Sequence, residues 1–90
     1  MTKDNINKIR SQIDHIDDKI ISLIVKRLQK AKKIGDIKKE LKLPIYDKKR
    51  EDIIINRLIE KTKNQLNANQ IKQILKPIIN ISKDLQRSEK

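Results

Sequence analysis

Apolar residues recur at alternating steps of three and four from Ile6 through Ile9, Ile13, Ile16, Ile20, Leu23 and Ile24 to Ala31, Ile34 and Leu41. Positions so spaced share one face of a helix, and the pattern predicts a single amphipathic helix. Asp4 or Asn5 is a competent cap for its start, and the helix is expected to stop ahead of Pro44, whose ring disfavours helix at the preceding residue. Gly35 is the one interior blemish. At about 1.5 Å per residue the helix is on the order of 54 Å long. A compact globule of this chain's size has a radius of gyration of only about 12 Å. The helix must therefore project beyond its own domain, and the expected remedy is a second copy of the same helix alongside, in an intertwined two-fold homodimer. A chain this short buries only roughly 60% of its unfolded surface, which makes a partner subunit still more useful.

The rest of the chain predicts two further helices. Leu43-Pro44-Ile45-Tyr46 is a short extended connection, and Asp47 stands where an N-cap satisfies free amides. The second helix carries Ile54, Ile55, Leu58 and Ile59 and fades through Thr62 to Gln65. Asn67 followed by Gln70 has the form of a capping box opening the third helix, with Ile71, Ile74, Leu75, Ile78, Ile79 and Leu85 as its apolar set. Pro77 removes a backbone hydrogen bond from that helix at a cost of roughly 3 kcal/mol, and a bend is expected near it. Arg87 to Lys90 are expected to fray. No strand alternation or internal repeat interrupts this pattern. The expectation is an all-α domain spanning 1–90, with three helices per chain and a very long first one.

Polar residues stand where the stripes call for apolar ones. The step of four from Leu23 lands on Arg27, and that from Ile34 lands on Lys38. In the third helix the inward steps arrive at Ser82 and Gln86, and the second helix opens with Asp47, Arg50 and Glu51. A buried charge without a partner is expensive, so such a set suits a small anionic ligand held by several hydrogen bonds between helices. It does not suit nucleophilic or acid–base catalysis. There is no cysteine, the only histidine is His15, and neither a metal-ligand cluster nor a Gly-rich phosphate loop is present. An enzyme built this way would need no cofactor or metal and would act by positioning and electrostatics. No signal-like or membrane-spanning run opens the chain, and the lack of cysteine suits a reducing compartment, so a soluble cytoplasmic protein is expected.

The formal net charge of +11 raises nucleic acid as a partner. Nineteen Ile, eighteen Lys and seven Asn account for about half of the chain, which reads as compositional bias at tolerant positions. Tyr46 is the sole aromatic, too few for base stacking. The five arginines stand out against this lysine background as rigid, permanently charged forks matched to carboxylates.

These motifs together resemble the all-helical, type II chorismate mutase family over about Ile6 to Gln86. Arg10, Asp14 and Asp18 are similar to the family's R-x3-D-x3-D, Lys26-Arg27 to its E/K-R pair, and Gly35 with Lys38 to its G-x2-K. Pro44, Asp47, Arg50 and Glu51 match P-x2-D-x2-R-E, and Ser82 with Gln86 matches S-x3-Q. Five motifs in order at family-like spacing make the likeness specific. The resemblance implies a stand-alone mutase that rearranges chorismate to prephenate on the route to phenylalanine and tyrosine, without a cofactor. It further implies that Arg10 crosses the dimer interface to a substrate carboxylate in the other subunit's site, and that Arg27 holds a carboxylate within its own. Lys38 and Gln86 would flank the ether oxygen. Asp47 would meet the ring hydroxyl through its backbone and Glu51 through its side chain, Arg50 would order the site, and Ser82 would lie near the ring carboxylate. Pro77 departs from the family pattern, and the Ile-rich core has almost no aromatic residue.

Taken singly, each of these residues has a structural explanation: Arg27 as an interhelical ion-pair member, Lys38 as a snorkelling side chain, Glu51 as a helix N-terminal charge. His15 and the Lys32-Lys33 and Lys48-Lys49 clusters read as solvated surface, the lysines also steering a dianion inward, and Tyr46 reads as packing over the loop. Three rivals stand beside the mutase reading. One is an isochorismate-pyruvate lyase on the same fold, the second a basic helical module for nucleic acid or protein, and the third a regulatory partner of another shikimate-pathway enzyme.

Overall fold

The computed structural model describes residues 2–45, 48–63 and 65–87. Its regular structure consists of three helices, α1 (Lys3–Leu41), α2 (Lys48–Lys61) and α3 (Ala68–Arg87), with no strand among the described residues. α1 begins slightly earlier than its sequence predicts. Thr2 is the N-cap: its backbone is extended and its hydroxyl accepts the Asn5 amide at 3.3 Å. Asp4 falls inside the first turn, where a carboxylate favours the positive end of the helix dipole. At the other end Lys42 takes a left-handed conformation (φ 58°, ψ 41°), and the Leu43 amide donates to the Lys38 carbonyl at 2.8 Å. This closure stops the helix ahead of Pro44.

The expected cap of α2, Asp47, and the loop residue Tyr46 lie outside the described residues. The capping box of α3 is formed in both directions. The Gln70 amide donates to Asn67 Oδ1 at 2.8 Å, and the Asn67 amide to Gln70 Oε1 at 2.9 Å. α3 then runs without interruption through Pro77 to Arg87. Pro77 and Gln73, whose carbonyl loses its usual donor, are both exposed, so water can serve that carbonyl.

α3 packs along α1 on one side and against α2 on the other. The small core consists of Ala31 from α1, Ile54 and Ile55 from α2, and Ile71 and Ile79 from α3, together with buried Gly35, Glu51 and Ser82. The inward face of α1 runs through Ile24, Arg27, Leu28, Ala31, Gly35 and Lys38, while Ile34 and Leu41 remain exposed despite belonging to the apolar stripe. The reason is size. Ala31 and Gly35, one turn apart, let α3 approach where a larger pair would hold it off. A Cβ added at Gly35 would lie 2.6 Å from Gln86 Cγ and 2.9 Å from Gln86 Cα, so the backbone of α3 itself would have to retreat.

Gly35→Ala therefore sets two effects against each other. Alanine favours the helix by about 1 kcal/mol, and overpacking costs about 1–3 kcal/mol. The melting temperature is expected to fall modestly, whereas any activity that depends on Gln86 should drop about tenfold, since small displacements of a positioned group are costly. Thermal melts and steady-state kinetics on the same preparation check this.

The amino-terminal half of α1 is bare. Every residue from 2 to 23 is exposed, including the apolar stripe from Ile6 to Leu23. The chain is accordingly elongated, 58 Å in its longest dimension with a radius of gyration of 17.0 Å, against about 12 Å for a compact chain of this size.

Candidate active site

Cations that enter a protein interior lose water and must find oxygen atoms. Arg27 and Lys38 are both half-buried on the face of α1 that meets α3, and neither forms an ion pair with a carboxylate among the described residues. Arg27 Nη1 donates to Ser82 Oγ at 3.2 Å, and the Ser82 hydroxyl donates in turn to the Ile78 carbonyl at 2.9 Å. The single hydroxyl proton is thereby used within α3, and what Ser82 presents to Arg27 is a lone pair. Lys38 Nζ donates to the Ile45 carbonyl at 3.1 Å, tying the end of α1 to the connection before α2.

These groups line a cavity of about 390 Å³ between the three helices, within the range usual for small-molecule sites. Six of the eight residues singled out in the sequence contribute to its wall: Arg27, Lys38, Arg50, Glu51, Ser82 and Gln86. Ile34, Ile54 and Ile79 supply an apolar side. Arg10 is not among them. It sits on the exposed half of α1, about 26 Å along an unbroken helix from Arg27 at 1.5 Å per residue. Asp47 lies outside the described residues.

Two wall residues have no place in the sequence reading, Lys30 and Lys83. Their signal was present: the step of four from Ile79 lands on Lys83, as the step from Leu23 lands on Arg27. Lys83 Nζ lies 3.2 Å from Glu51 Oε2, and Lys76 Nζ 3.7 Å from Glu51 Oε1. Glu51 itself is only 5% exposed. Its Oε2, with the Lys83 ammonium beside it, and the Gln86 Oε1, which receives no hydrogen bond from the described residues, are both buried. The cavity thus offers several cations and, beside them, acceptor oxygens. His15 and both lysine clusters lie in solvent, Lys32 beside Asp36 and Lys48 beside Asp52.

The family model described as chorismate mutase type II matches residues 9–87. The chain belongs to the type II chorismate mutase family. A chorismate mutase from Methanocaldococcus jannaschii is 42% identical over 55 residues, which cover 61% of this chain and 56% of that protein. A bifunctional chorismate mutase/prephenate dehydratase from Aquifex aeolicus is 35% identical over 60 residues, 67% of this chain but 17% of the larger protein. A solved structure, of a conserved hypothetical protein from Pyrococcus furiosus, is 43% identical and superposes with a TM-score of 0.76, covering 92% of this chain and 96% of that one. The chain thus spans little more than half of the first of these relatives and under a fifth of the second. The mutase family accounts for the all-helical architecture and for the order of motifs along it. Among the rival readings, the match favours neither the nucleic-acid module nor the lyase. No helix among the described residues is long and apolar enough to cross a membrane.

Proposed function

We propose that this chain is a chorismate mutase, converting chorismate to prephenate by an intramolecular pericyclic shift on the route to phenylalanine and tyrosine. The observation that carries the reading is the mixed demand of the cavity. Arg27 and Lys38 bring positive charge without a carboxylate partner among the described residues, while the buried Glu51 carboxylate lines the same wall as an acceptor. A ligand with two carboxylates, a hydroxyl and an ether oxygen answers both, and chorismate is such a ligand.

The chemistry needs no group that accepts or gives up a proton. One carbon–oxygen bond breaks as one carbon–carbon bond forms, within a single molecule. The protein's task is to hold a flexible dianion in its reactive diaxial shape and to stabilise the negative charge that grows on the ether oxygen. In this reading Arg27 grips a carboxylate, Lys38 and Gln86 flank the ether oxygen, and Glu51 accepts the ring hydroxyl. Arg50 orders the wall, and Ser82 lies beside Arg27 near the ring carboxylate. The backbone of Asp47 completes the hydroxyl contact. Arg10 serves the site of a second copy, whose own Arg10 serves this one, so the working unit is a homodimer. A cytoplasmic setting fits a chain without cysteine.

The direct test is to follow the loss of chorismate absorbance with purified protein and identify the product by chromatography. Prephenate is expected. A folded protein that leaves chorismate untouched overturns the proposal, and release of pyruvate from isochorismate at a comparable rate would replace it with the lyase.

A further inference from the structure

A carboxylate buried in the wall of an anion-binding cavity is penalised twice, by lost hydration and by repulsion of the ligand. Glu51 is in that position: it is 5% exposed and lines the same cavity as Arg27 and Lys38. Two lysines of α3, Lys76 and Lys83, approach its two oxygens, and they are not equivalent. The Lys76 side chain is 55% exposed and 3.7 Å away, so water and salt screen it. The Lys83 side chain is 19% exposed, 3.2 Å away, and itself part of the cavity wall.

We propose that Lys83 is the built-in counter-ion of Glu51, a positioning residue that cancels this carboxylate's charge so that the cavity accepts a dianion while Glu51 keeps a lone pair for a ligand hydroxyl. Lys83 stands at ion-pair distance from Oε2. An ionised carboxylate has about four lone-pair sites on its two oxygens, so the ammonium cancels the charge and still leaves Glu51 an acceptor for a ligand hydroxyl. The lysine stem continues the α3 face that buries Ile79 and Ser82, which keeps the ammonium from swinging into solvent. This inference rests on the mutase reading for the identity of the dianion, and on the ion-pair geometry alone for the coupling of Lys83 to Glu51.

The test is a double-mutant cycle of Lys83→Met and Glu51→Gln, read in two ways. With chorismate as substrate, Lys83→Met is expected to raise KM about tenfold with kcat changed less than about twofold, because the charge is needed equally in the ground and transition states. In the Glu51→Gln background, where no carboxylate needs cancelling, the same replacement should leave KM unchanged. Lys83→Arg should retain the wild-type KM. An equal rise in KM in both backgrounds would mean that Lys83 touches the ligand itself and would overturn the assignment, as would an unaltered KM in Lys83→Met. The second reading is the melting temperature without ligand: Lys83→Met lowers it beside Glu51 but not beside Gln at that position. If wild-type protein does not turn over chorismate, the proposed function fails by itself. The melting cycle then still decides, since additive shifts overturn the counter-ion pairing and non-additive ones uphold it.

Discussion

Lys38→Ala is expected to lower kcat for prephenate formation by about 10²–10³-fold, the range found when one donor to a developing oxyanion is removed, with KM and fold largely preserved. Charge on the ether oxygen grows only as the carbon–oxygen bond lengthens, so a group that answers it contributes to the transition state and little to binding. Lys38 is suited to that role. Its ammonium is half-buried, where an electrostatic contact is weakened less than in water, and is held by the Ile45 carbonyl at 3.1 Å. An ammonium has three donors, so it can keep the Ile45 bond and still point another proton into the cavity. Lys38→Gln, which keeps a neutral donor, should lose less than Lys38→Ala. Lys38→Arg should not restore full activity, because a planar fork on a different stem cannot reproduce both directions at once. Steady-state kinetics beside circular dichroism and a thermal melt check this, and an unchanged kcat in a folded Lys38→Ala variant would remove Lys38 from the mechanism.

What could be read from the sequence and what could not divide along a physical line. The three helices, the capping box at Asn67 and Gln70, and the inward polar positions Arg27, Lys38, Ser82 and Gln86 are consequences of local periodicity, and periodicity survives in a single chain. The start of α1 falls ahead of the expected Asp4 or Asn5, because Thr2 is itself a competent cap and its extended backbone brings its hydroxyl to the Asn5 amide. Gly35 was misleading in a more instructive way. Helix propensity counts it as a weak point, whereas its value is tertiary: it is where α1 and α3 come closest, against the backbone of Gln86. Ile34 and Leu41 are exposed for the same reason, since contact follows the small residues and not the large ones. Lys30 and Lys83 escaped notice because, in a chain with eighteen lysines, residue type carries almost no contrast. Arginine did carry contrast, and Arg27 and Arg50 do line the cavity.

Arg10→Ala and Arg27→Ala are each expected to be nearly inactive alone, and together to regain about a quarter of wild-type activity once their subunits are mixed. The expectation follows from two-fold symmetry. If each site takes Arg27 from one subunit and Arg10 from the other, a heterodimer of the two variants has one site with both arginines and one with neither. Random exchange makes about half of the dimers mixed, and half of their sites are intact. If Arg10 instead served its own subunit, every site would lack one arginine and mixing would restore nothing. The geometry favours the first arrangement, because Arg10 lies about 26 Å along α1 from Arg27 on a helix that is continuous between them. In such a dimer the apolar stripe on the same segment would supply the adhesion: Ile6, Ile9, Ile13, Ile16, Ile20 and Leu23 are 44% to 63% exposed. Full burial of such a side chain is worth about 1.5–3 kcal/mol, and these are roughly half-way there, so covering six of them in each of two chains can hold a dimer against its association entropy. The two variants would be co-refolded from denaturant at equal concentration and assayed for prephenate, with mass spectrometry of the intact complexes confirming that mixed dimers form. Recovery near a quarter fixes Arg10 as the residue each subunit lends its partner, whereas mixed dimers that remain inactive would confine each site to a single chain.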